Sequence, residues 1–134
     1  MSELKCKDRV CATLRGRVDD LSQLLAADAS GSVDPELGAL NEYGLSFDYV
    51  APGSFDGQDE GYFRYQISWG GPSDEFRFFV NPDLSCHRIE YWFLDWFDGA
   101  SRTLSGESES VLLNLWDVFK DTGALAAAGR HVQL

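Results

Sequence analysis

Between residues 45 and 94 apolar and polar residues alternate with a period of two, in short runs separated by turn residues. This pattern restricts the middle of the chain to strands with one buried face. Leu45, Phe47 and Tyr49 alternate with Ser46 and Asp48, and Phe63, Tyr65, Ile67 and Trp69 alternate with Tyr62, Arg64, Gln66 and Ser68. "GGPSDE" (70–75) has the composition of a turn and leads into the strand "FRFFV". "NPDLS" (81–85) makes the next turn, with Leu84 where a glycine would suit it. A strand from Cys86 to about Leu94 follows, with His87, Ile89, Tyr91 and Phe93 on the face assigned to the core. Cys86, Arg88, Glu90, Trp92 and Leu94 share the other face. Connections this short make consecutive strands antiparallel neighbours, so a four-stranded meander is expected.

Helical spacing flanks these runs. Leu4, Cys11, Val18 and Leu25 lie seven apart with Leu14 and Leu21 between them, a stripe that predicts a helix over residues 3–26. Packing of this helix on a sheet is preferred to a coiled-coil pair, because the stripe is short for a coiled coil. Asp34 and Pro35 predict a short helix at 35–42. Ser105 is placed to cap a last helix carrying Leu112, Leu115, Trp116 and Phe119. The fold class expected is therefore α+β, a four-stranded antiparallel meander packed against N-terminal and C-terminal helices, in one domain spanning residues 1–134. The 44% hydrophobic content is ample for such a core.

The net charge of −11 is unevenly spread: residues 1–27 sum to +1 and residues 28–134 to −12. An acidic body repels phosphate and attracts basic protein surfaces, which argues against direct nucleic-acid binding. Three cysteines without repeated close pairs do not make a disulfide framework. The charged N-terminus lacks the apolar centre of a signal peptide, and no apolar run is long enough to cross a membrane. A cytoplasmic protein without membrane association, monomeric or homodimeric, is expected.

No arrangement of residues carries a recognisable chemistry. Cys86 and His87 are neighbours on a strand and point to opposite faces, so they cannot form a nucleophile and base there. Cys6 and Cys11 lie about 140° apart around a helix and do not converge on a metal. The loops "FDGQDEG" (55–61) and "DWFDG" (95–99) have oxygen ligands without the spacing of a calcium loop. Glu90 and Asp95 have no evident geometry for paired-carboxylate chemistry. "EFRFFV" resembles an RNA-recognition strand but lacks its glycines, and the protein has the wrong charge. No phosphate-binding or nucleophile-elbow motif occurs. No cofactor, metal or catalytic residue is expected.

The segments "GLSFDYV", "GYFRYQISWGGPSDEFRF" and "HRIEYWFLDWFDGA" resemble a family of small acidic proteins encoded on proteobacterial plasmids and integrative elements. The family has no catalytic residues to carry over. The resemblance implies a protein that binds and inhibits a host defence nucleoprotein, of the anti-CRISPR or antirestriction kind, with a housekeeping interaction module as the alternative and a small hydrolase or ligand-binding domain third. The surface expected to carry binding combines Trp92 and Trp96 as apolar anchors with Glu90, Asp95, Asp98, Asp56, Asp59 and Glu60. Aromatic anchors inside a charged rim are how interfaces concentrate energy.

Overall fold

The computed structural model describes residues 6–70, 72–95 and 98–124. Leu4 and Trp96, assigned roles above, lie outside the described residues. The chain runs α1 (Cys6–Ala29), α2 (Leu40–Tyr43), β1 (Ser46–Val50), β2 (Tyr62–Ser68), β3 (Ser73–Val80), β4 (Cys86–Asp95), β5 (Asp98–Thr103) and α3 (Gly106–Asp121). The strands form one antiparallel sheet in the order β1-β2-β3-β4-β5. It is the expected meander with a fifth strand added. "DGASRT" carries no run of alternating large apolar residues, so periodicity could not reveal it. Its order comes from pairing with β4, from Asp95 opposite Asp98 to Glu90 opposite Thr103.

Helices α1 and α3 share one core with one sheet face. Phe63, Tyr65, Ile67, Phe76, Phe78, Ile89, Tyr91 and Phe93 meet Val10 and Leu21 of α1 and Leu112, Leu115 and Trp116 of α3. The helical stripe of α1 is turned slightly from the expected heptad. Val10, Leu21 and Leu24 are buried, whereas Cys11 is exposed, because a straight helix repeats at 3.6 residues and drifts from a period of seven. Gly16 sits mid-helix, exposed, with nothing within 4 Å of the position its Cβ would occupy. Gly16→Ala should therefore raise unfolding stability by about 1 kcal/mol, measured by urea denaturation; a loss of stability would show an unseen constraint at that position.

Two bulges explain where the strand-face assignments fail. In the β2–β3 pair, Gln66 lies opposite Glu75 and Ser68 opposite Asp74, leaving Ile67 as the extra residue. Ile67 stays in the core, Ser68 turns to bond Asp74 on the helix-covered side, and Trp69 is 78% exposed rather than buried. In the β3–β4 pair, Phe79 faces Arg88 and Val80 faces Cys86, so His87 is the extra residue. His87 is exposed, contrary to expectation, and Cys86 packs against the core. Burial there pushes the Cys86 thiol up to about 11. Leu45, also assigned to the buried face, precedes β1 and is 62% exposed.

The short helix predicted at 35–42 begins later, at Leu40. Asp34 instead caps a turn, its Oδ1 accepting from the backbone N–H groups of Glu36 and Leu37. Leu84 adopts φ +69°, the left-handed conformation that favours glycine, so the turn keeps this conformation despite the leucine.

Candidate functional site

Two arginines of α1, Arg9 and Arg17, bond to carboxylates of the sheet. Arg17 Nε and Nη2 donate to Asp74 Oδ2 and Oδ1 at 2.7 and 3.1 Å. Asp74 is buried on β3, in a segment read from sequence as a turn, and also accepts from Tyr91 Oη at 2.5 Å and from Ser68 Oγ. Tyr43 of α2 joins the cluster, accepting from Arg17 and donating to Asp20 at 2.6 Å. Its phenol is pushed up to about 12 by burial, reinforced by the bond to Asp20. Burial and the Asp74 bond push Tyr91 up as well. The cluster ties α1, α2 and the sheet together.

Asp95, assigned to the binding surface, belongs to this side of the sheet. Its carboxylate accepts from Arg9 Nη1 at 2.7 Å, and the Arg9 guanidinium lies over the Phe93 ring. Asp98 begins β5.

Among the described residues the opposite sheet face carries no helix, and it has a different construction. Tyr62, Phe79 and Val50 make a small second core there. Arginines and their carboxylates cover it. Arg77 lies 3.9 Å from the centroid of Trp92 and 4.7 Å from that of Tyr62, while its Nε donates to the buried Glu75 at 2.8 Å. Arg88 lies 3.9 Å from the centroid of Phe79 and bonds both Glu60 and Glu90. Arg64 pairs with Asp48 through two bonds. Trp92 Nε1 donates to Glu90 at 3.0 Å. A guanidinium over a ring combines dispersion with attraction to the π face, and the adjacent carboxylate fixes its plane.

The β1–β2 loop, residues 51–61, forms a wall over this face. Gln58 holds it in shape: its side-chain nitrogen donates to the carbonyls of Ala51 and Glu60, and its side-chain oxygen accepts from Phe55 N–H. The ion pair between Glu60 and Arg88 fastens the loop to β4. Between loop and sheet runs a groove of about 650 Å³ lined by Phe55, Asp56, Asp59, Glu60, Tyr62, Trp69, Glu75, Arg77 and Trp92, among others. Phe55 is 53% exposed.

Of the residues proposed from sequence, the groove gathers Trp92, Asp56, Asp59 and Glu60, and Glu90 braces Trp92 and Arg88 beside it. Asp95 is on the helix side. Phe55, Trp69 and Tyr62 are among the groove residues that sequence reasoning missed. Phe55 lies in a loop with no periodicity, and the bulge in β2 reversed the face of Trp69.

Comparison with protein-family models, curated proteins and solved structures finds no match to this chain. What defines the protein is its architecture: an α+β fold whose five-stranded antiparallel sheet is covered by helices on one face and bears an acidic, aromatic groove on the other. Among the described residues, no helix is long and apolar enough to cross a membrane.

Proposed function

We propose that this is a non-enzymatic protein-binding protein that takes a basic partner on the groove of its helix-free sheet face. The observation that carries this reading is the charge left over there. Arg64, Arg77 and Arg88 are each held by a carboxylate, while Asp56 and Asp59 have no ion pair among the described residues. Counting Asp48 and Glu90 with the groove's own charged groups, six acids stand against three arginines. This balance disfavours phosphate and favours a cationic surface. Phe55 and Trp69 supply exposed apolar area beside the acids.

The resemblance to mobile-element proteins selects the partners to try, host defence proteins with basic nucleic-acid sites, in a cytoplasmic setting. Association of the full chain with a purified set of such proteins should be faster at low than at high ionic strength. Asp56→Lys combined with Asp59→Lys should slow it by about tenfold at low salt. The melting midpoint should hardly change, since both residues are exposed. Association indifferent to salt and to this charge reversal would leave the acidity as solubilisation only.

A further inference from the structure

The helix-free face repeats one arrangement, and one copy of it is incomplete. Arg77 covers Trp92 and Tyr62 with Glu75 beside it, and Arg88 covers Phe79 with Glu60 and Glu90 beside it. Phe55 and Trp69 line the same groove without a guanidinium over them among the described residues, and Asp56 and Asp59 are carboxylates without a cation there. Tyr62, 1% exposed, is an independent sign of an unfilled position. Tyr62 lines the groove, and its buried hydroxyl has no hydrogen-bond partner among the described residues. A buried polar atom left unmatched is costly unless a ligand or water satisfies it.

We propose that the missing element is an arginine side chain of the basic partner, seated against Phe55 and Trp69 and bonded by Asp56 and Asp59, with the Tyr62 hydroxyl as a further acceptor. Arginine suits this position better than lysine. Its planar group stacks on rings while donating in its own plane to carboxylates, whereas an ammonium is a compact, strongly hydrated point charge. The protein's own arginines show that this face is built to hold guanidinium groups in that way.

The proposal rests on the basic-partner reading above, and the test separates the two. Hexa-arginine and hexa-lysine peptides are titrated calorimetrically into the full chain at two ionic strengths. Both should weaken with salt, and the arginine peptide should bind about tenfold more tightly. Phe55→Ala with Trp69→Ala should abolish that preference and leave the lysine peptide within a factor of about two, since the lysine peptide depends chiefly on long-range charge. Tyr62→Phe should weaken the arginine peptide about threefold without lowering the melting midpoint, because it removes only a hydroxyl that has no partner. Equal affinity for the two peptides, or an arginine preference that survives loss of both rings, overturns the arginine seat alone. Binding of neither peptide overturns the basic-partner reading with it.

Discussion

Asp74→Ala should lower the unfolding free energy by about 3–5 kcal/mol, the usual cost of breaking a buried, hydrogen-bonded ion pair from one side. The Asp74 side chain is 1% exposed and accepts from three residues: Arg17, Tyr91 and Ser68. Alanine leaves the buried Tyr91 hydroxyl without its acceptor and Arg17 without its carboxylate. Arg17 is 27% exposed, so part of its charge can find water, which places the expected loss toward the lower end of the range. Replacing both charges, with Arg17→Met and Asp74→Leu together, should cost much less, about 1–2 kcal/mol, because no charge is then stranded. Urea unfolding of Arg17→Met, Asp74→Leu and the double variant makes a complete cycle. A single Asp74→Ala loss below about 1 kcal/mol, or additive losses in the double variant, would show that the pair is not the tie between α1 and the sheet.

The same cluster shows what sequence could not reveal. Ser73, Asp74 and Glu75 read as turn residues because all three are polar, yet each is buried in β3. The reason lies far away in the chain. Asp74 is matched by Arg17, 57 positions earlier, and no local pattern encodes such a pairing. Arg9 and Asp95, separated by 86 positions, repeat the lesson. Their pairing also changes the meaning of the charge distribution: two arginines of the more basic N-terminal segment neutralise carboxylates of the acidic body.

What alternation does encode was legible. Phe63, Tyr65, Ile67, Ile89, Tyr91 and Phe93 are all buried on the face where they were expected, because period two assigns faces wherever the ladder is regular. The two bulges mark where that logic stops. A single extra residue at Ile67 or His87 leaves composition unchanged and reverses the parity beyond it. The candidate site was legible only in part for the same reason. Asp56, Asp59, Glu60 and Trp92 stood out by residue type, but the exposed Trp69 was hidden behind a bulge. The groove also depends on how Gln58 folds its loop, through bonds to Ala51, Phe55 and Glu60 that have no sequence signature.

Trp116→Ala should be as damaging as the loss of Asp74, at about 3–5 kcal/mol, through packing rather than charge. The Trp116 ring is 2% exposed and joins three strands to α3: it stacks on Phe78 of β3 at 5.1 Å, meets Phe63 of β2 edge-on at 5.3 Å, and lies 6.4 Å from Phe47 of β1. Its Nε1 donates to the carbonyl of Leu84 at 3.0 Å, fixing the turn between β3 and β4 at its strained residue. Alanine would open a cavity between rigid rings that cannot collapse into it and would leave that carbonyl without its donor. Trp116→Phe keeps most of the ring contact and loses the hydrogen bond, so it should cost about 1–2 kcal/mol. Against the 5–15 kcal/mol typical of a whole domain, roughly a third of the stability then depends on one side chain. Chemical denaturation of both variants decides the point. An alanine variant as stable as the phenylalanine one would mean that α3 can repack on the sheet without its central ring.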